Sequence, residues 1–99
     1  MESQFTFTPA YYEWHLLDRN GRIVHNMVDP LEKLFREDGS QMTLEEVTDI
    51  CAEDLHAAES AYAEGRYYNG IMLFNGLSAL DLKKAAEVMA RALCNYYLA

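Results

Sequence analysis

Three histidines and the carboxylates near them are the residues of this sequence whose types and spacing could bind a metal ion. Glu53 and His56 have the Glu-x-x-His spacing of carboxylate-bridged di-iron bundles, which places both ligands on one helix face. Such sites need a second Glu-x-x-His element and further glutamates, whereas this sequence has a single Glu-x-x-His element. His15 and His25, beside Glu13, would form a two-histidine, one-carboxylate set if their strands paired. Scattered histidines are more typical of surface or packed residues, so we predict no cofactor and keep these residues as metal candidates.

Signatures of nucleophilic catalysis are missing from the sequence. Cys51 and Cys94 lie within helical apolar patterns, away from Gly-rich turns and helix N-termini where a thiolate is stabilised. There is no Gly-x-Ser-x-Gly elbow, phosphate-binding loop or dinucleotide fingerprint. We therefore expect a non-enzymatic protein with two reduced, buried thiols. A disulfide between the two helices is the alternative.

Charge is distributed very unevenly along the chain. The whole sequence carries a net charge of −8. Residues 37–65 include nine acidic side chains and no lysine or arginine, so this block holds −9 and the other residues sum to +1. An ordinary surface helix intersperses lysines that offset such like-charge neighbours. The acids that we predict to contact a partner are Glu45, Glu46, Asp49, Glu53 and Asp54.

An acidic helix face of this kind suits docking on a basic surface of another protein, including a surface that binds nucleic acid. Direct binding of nucleic acid is disfavoured, because affinity for phosphates comes mainly from lysine and arginine. We predict an inhibitor or adaptor whose acidic helix 44–64 occupies such a basic surface, and a DNA mimic is one form of this prediction. Small mobile-element proteins that block host defence are an analogy of size and charge only. The alternative is a face that serves solubility alone.

Tyrosine pairs suggest a second contact surface. Seven tyrosines include the adjacent pairs Tyr11-Tyr12, Tyr67-Tyr68 and Tyr96-Tyr97. Neighbours in a helix or strand cannot both face one core, so some of these rings should be exposed, as is typical of protein interfaces. We predict that Tyr67 and Tyr68 contact a partner. The competing functional prediction is an obligate homodimer with a structural or metal-dependent role, which uses these pairs and helix 79–97.

The elements that would position these residues begin with strands. Apolar and polar residues alternate through much of the first 28 positions, which predicts half-buried strands. Asn20-Gly21 supplies the positive-φ residues of a hairpin turn. A helix opened by Thr8 and Pro9 is the competing interpretation.

The hairpin register decides which side chains face the core. A three-residue loop with Gly21 in the left-handed conformation pairs Leu17 with Ile23 and makes His15 and His25 cross-strand partners. A two-residue loop would mix polar and apolar residues on both faces, so we prefer the longer one. In the preferred register only Asn26 is out of place on the core face, which comprises Tyr12, Trp14, Leu16, Val24 and Val28.

Helix signals follow the strands. Asp29-Pro30 predicts a short helix from 30 to about 37, which Asp38-Gly39 ends. Thr43 to Glu46 is a capping box that opens a long helix over 44–64, and Ser78 to Asp81 opens another over 79–97. The predicted buried stripes are Leu44, Val47, Cys51, Leu55, Ala58 and Tyr62 in the first, and Leu82, Ala85, Met89, Leu93 and Tyr96 in the second.

These patterns predict one α+β domain over 1–99. Residues 1–28 would form a small antiparallel sheet of two or three strands, and residues 29–99 two long α-helices and one short α-helix packed against it. The start of the sequence has no basic segment followed by an apolar one, and nothing approaches the length of a membrane span. We therefore expect a cytoplasmic protein.

Overall fold

The computed structural model describes residues 4–10, 13–63 and 79–98. Three strands form one antiparallel sheet in the order β1-β2-β3, with β1 at Thr6–Pro9, β2 at Glu13–Leu17 and β3 at Ile23–Val28. Two long helices follow, α1 at Leu44–Ala63 and α2 at Ala79–Tyr97. The predicted α+β class is confirmed. The competing helix opened by Thr8 and Pro9 is wrong, because both residues belong to β1.

The predicted short α-helix is instead a 3-10 helix over Pro30–Leu34. Glu32 N donates to Asp29 O, three residues back, at 3.3 Å, which is the tighter bonding of a 3-10 turn. Asp29 makes no side-chain cap, and its backbone is left-handed with φ 50, a conformation that Asp tolerates better than most residues. Gly39, at φ 87, forms a turn between the bridged residues Phe35 and Gln41.

The hairpin follows the preferred register at its turn and then shifts by one residue. Gly21 is left-handed at φ 79, and Leu17 pairs with Ile23 as predicted. Leu16, however, pairs with His25 and not with Val24. Val24 is thus one extra residue in β3, which makes a β-bulge.

The bulge reverses the sides on which the later residues of β3 lie. Met27 is opposite Trp14 and fully buried, whereas Val28, predicted to face the core, is 41% exposed. Asn26, the residue that did not fit the predicted face, pairs with His15. The predicted pairing of His15 with His25 is therefore wrong.

The helices cover one face of the sheet, and the described residues form one core between the two layers. Residues 5–28 contribute Phe5, Phe7, Trp14, Leu16, Val24 and Met27, and the helical part contributes Leu34, Val47, Cys51, Leu55, Ala85, Ala86, Met89, Ala90 and Leu93. Most of both predicted stripes is buried as expected. Leu44 and Tyr96, at the ends of their helices, are exposed and were wrongly assigned to the core, and the side chain of Tyr62 lies outside the described residues.

The capping box of α1 forms as predicted and also carries an ion pair. Glu46 N donates to Thr43 Oγ1 at 3.2 Å, and Thr43 N donates to Glu46 Oε1 at 3.0 Å. Both oxygens of Glu46 also accept bonds from the Arg36 guanidinium. Arg36 further donates to Ser40 Oγ and Gln41 O, so it ties the turn before α1 to the start of the helix.

This ion pair predicts a pH dependence of stability. Hydrogen bonds from Arg36, and then from Thr43, hold the pKa of Glu46 below its usual 4.5. A carboxyl with a lowered folded pKa stabilises the fold above its unfolded pKa, and that contribution is lost as the pH falls from about 4.5 through the folded pKa. Arg36→Ala should therefore lower the urea midpoint at pH 7 more than at pH 3. Arg91→Ala, which removes an exposed arginine of α2, is the control; an equal effect of Arg36→Ala at both pH values would contradict the prediction.

Candidate functional site

Three of the five predicted partner-contacting acids form a row on α1. Glu45, Asp49 and Glu53 are exposed and follow one another at four-residue spacing, so they lie on one helix face. The buried stripe of α1 includes Val47 and Leu55 and faces the core. We call these three carboxylates the acidic row.

The other two predicted acids are engaged inside the molecule. Glu46 serves the capping box and Arg36, as described above. The Asp54 side chain is 9% exposed, and its Oδ2 lies 2.6 Å from Nε2 of His25, itself 1% exposed. Because an ionised carboxylate can only accept, Nε2 carries the proton in this bond. Asp54 therefore joins α1 to β3 and is not part of the acidic row.

The face of the sheet that the helices do not cover carries a small polar cluster. Glu13 binds His15 Nε2 at 3.0 Å through one oxygen and Asn26 Nδ2 through the other. The hydrogen bond with His15 and then that with Asn26 hold the pKa of Glu13 below its usual range, and the bond with His15 has the larger effect. Glu13 and Asn26 belong to neighbouring strands, so the cluster bridges β2 and β3.

The metal candidates are not brought together. His15 contacts Glu13 on one side of the sheet, His25 contacts Asp54 of α1, and Glu53 and His56 are exposed on that helix. Over the described ranges, three or more metal-binding side chains nowhere come close enough to hold an ion.

The two cysteines are free thiols. Cys51 is 1% exposed, and burial raises its pKa to about 12. Burial also raises the pKa of Cys94. Neither thiol is therefore activated as a thiolate at neutral pH, and Cys51 packs in the core as predicted.

Aromatic rings cluster where α2 ends on the sheet. Trp14 Nε1 donates to Tyr97 Oη at 3.2 Å, and the Trp14 ring lies 5.2 Å from Phe7 and 5.1 Å from Tyr96. Tyr96 and Tyr97 meet edge to face at 4.8 Å. The pair Tyr67-Tyr68, predicted to contact a partner, lies outside the described residues, as does Tyr11-Tyr12.

A cleft of about 460 Å³ opens beside this aromatic cluster. It lies at the end of the sheet where β1 and β3 end and β2 begins, between the 3-10 helix and the last turn of α2. Its lining includes both aromatic residues and carboxylates, and the lining known from the described residues has no basic side chain. These residues are Trp14, Tyr96, Tyr97, Glu13, Asp29 and Glu32. We call it the end-of-sheet cleft.

No local sequence pattern predicted this cleft or the contact between His25 and Asp54. The cleft joins residues from both ends of the chain, which no local pattern brings together. One signal was present: Tyr96-Tyr97 ends a helix whose last turn has no lysine or arginine, although cations are favoured there. For His25, the misfit of Asn26 in the predicted register was the sign that β3 is shifted.

Neither helix in the described part of the chain is both long and apolar enough to cross a membrane. No protein-family model, curated protein or solved structure matches this chain.

Proposed function

We propose that the protein is a non-enzymatic binding module whose acidic row docks on a basic surface of a partner protein. The observation that carries this proposal is the row itself. Glu45, Asp49 and Glu53 are exposed on successive turns of α1, and none of them forms an ion pair within the described ranges. Arg36, the basic residue nearest to α1 in the sequence before it, is engaged with Glu46.

The stability of α1 does not explain why Asp49 and Glu53 are acidic. Glu45 lies in the first turn of α1, where a carboxylate interacts favourably with the positive end of the helix dipole. Asp49 and Glu53 lie beyond that turn and repel each other at four-residue spacing. The lysine and arginine side chains of a basic partner would attract both acids and offset this repulsion. This gain on binding is the physical reason for proposing a docking role.

The charge of the row also suits fast and selective association. Charged groups that are exposed in the free protein steer a complementary partner and suppress wrong ones, and their effect weakens with salt. The surface of a nucleic-acid-binding protein fits this description, because it is lysine- and arginine-rich. An inhibitor that covers such a surface, or an adaptor that attaches to it, is the most specific form of the proposal.

Charge reversal of the row tests the proposal. Glu45→Lys, Asp49→Lys and Glu53→Lys together should weaken capture of partner proteins from host cells by on the order of 100-fold at low salt, since attraction becomes repulsion. Glu53→Lys alone should weaken capture several-fold, whereas Glu87→Lys, the same change at an exposed position of α2, should not. Each bait is compared by quantitative mass spectrometry at low and moderate salt. Equal capture by all baits would contradict the proposal.

The competing proposal is the obligate homodimer that uses the tyrosine pairs and α2. The native mass of the purified protein distinguishes the two, because a monomer at micromolar concentration would exclude an obligate dimer. The basic-surface proposal does not depend on that result.

A further inference from the structure

We propose that the end-of-sheet cleft is a second binding site, independent of the acidic row, which takes an arginine side chain presented by a partner protein. Three features at this cleft favour a cation. They are the carboxylates, the aromatic rings and the carboxyl end of α2.

The first feature is negative charge that is open to a ligand. Asp29 and Glu32 line the cleft and are exposed, and the described lining has no basic side chain. Glu13 also lines the cleft, but its carboxylate is engaged by His15 and Asn26. Asp29 and Glu32 are therefore the carboxylates that could pair with an incoming cation.

The second feature is exposed aromatic surface next to this charge. Tyr96 is 62% exposed and Tyr97 36%, and both contact the buried Trp14. Cations are attracted to the faces of such rings, and arginine is the protein side chain most often found there. Tyrosine is enriched at protein interfaces, because its ring provides contact area while its hydroxyl can keep a hydrogen bond.

The third feature is the end of α2. The last carbonyl groups of a helix have no partner within it and carry the negative end of the helix dipole. Leu98 N satisfies Cys94 O at 2.9 Å, but the last turn of α2 has no lysine or arginine of its own. A cation supplied from outside would complement this end.

Arginine fits this combination better than lysine. A guanidinium is planar, so it can stack on a ring and pair with carboxylates at its edge at the same time, whereas an ammonium is a compact charge. Leu31, 47% exposed on the same lining, offers apolar contact to the residues that flank the arginine. The volume of about 460 Å³ lies within the range of ligand sites and exceeds the needs of a single small cation.

The sequence supplies its own reporter for this binding. Trp14 is the one tryptophan of the chain and lines the cleft. A capped peptide with a central arginine among glycines should change the Trp14 fluorescence with saturation at roughly millimolar concentration. The lysine peptide should bind several-fold more weakly, and the peptide with citrulline, the neutral isostere of arginine, should give no saturable change.

Variants locate the binding. Asp29→Asn with Glu32→Gln should weaken the arginine peptide about tenfold, and Tyr96→Ala about threefold or more. Asn tolerates the left-handed backbone at 29 as well as Asp does, so the charge variant keeps the fold even if Tyr96→Ala perturbs it. Glu87→Gln is the matched control on α2, and neutralisation of the acidic row should also leave the response unchanged.

Several results would overturn the proposal. The proposal is wrong if the arginine peptide gives no saturable response or if the citrulline peptide gives an equal one. It is also wrong if the Asp29 and Glu32 double variant binds the arginine peptide as well as the unchanged protein does. Equal binding of choline would assign the cleft to small cations. A change of Trp14 fluorescence with protein concentration alone, lost in Tyr96→Ala, would assign it to a second copy of this chain.

Discussion

Replacing Asp54 with alanine should lower the free energy of unfolding by about 2 to 4 kcal/mol. Asp54 Oδ2 lies 2.6 Å from Nε2 of His25, which is almost completely buried between β3 and α1. Without the carboxylate, the Nε2 proton loses this acceptor in a place that admits little water. The cost is the loss of a buried hydrogen bond to a charged group.

Asp49→Ala is the matched control for this experiment. Both substitutions exchange aspartate for alanine within α1, so both gain the same helix propensity. Asp49 is exposed, however, and its loss should change the free energy of unfolding by no more than about 0.5 kcal/mol. Urea denaturation followed by circular dichroism measures both. If the two variants were equally stable, the contact between Asp54 and His25 would contribute nothing and its assigned role would be wrong.

Met27→Ala should have the second large effect, a loss of about 2 to 4 kcal/mol. Met27 is fully buried opposite Trp14, because the bulge at Val24 turns it toward the helices. Removing its side chain leaves a cavity in a core that can close only in part. Val28→Ala should cost less than about 1 kcal/mol, since Val28 is 41% exposed and loses mainly strand preference.

This pair of substitutions tests the register directly. In the register predicted from sequence, Val28 faces the core and the order of the two costs is reversed. Urea midpoints of the two variants therefore distinguish the bulged hairpin from the regular one. A larger loss for Val28→Ala than for Met27→Ala would rule out the bulge.

Local signals predicted the elements of this fold well. Gly21 specified the turn because its φ of 79 suits glycine, and Thr43 with Glu46 specified the start of α1 because both partners of a capping box lie within one turn. The start of α2 was predicted on the same grounds. The 3-10 helix was missed, because a proline after an aspartate opens either type of helix.

What the sequence did not predict depends on contacts between distant residues. The bulge at Val24 is the packing solution that buries Met27 and removes Asn26 from the core face, and strand periodicity alone assumes no such shift. For the acids, composition identified the helix but not which carboxylates are engaged. Arg36 engages Glu46 from ten residues away and His25 engages Asp54 from 29 away, so three acids of the predicted five remain as the acidic row.

The bond between Trp14 and Tyr97 joins residues 83 positions apart in the chain. Closing so long a loop costs more conformational entropy than closing the hairpin or the start of α1. We therefore expect the contact between the end of α2 and Trp14 to form after those local contacts. The end-of-sheet cleft is therefore completed only in the fully folded chain, and a partner bound there would select that state and oppose its unfolding.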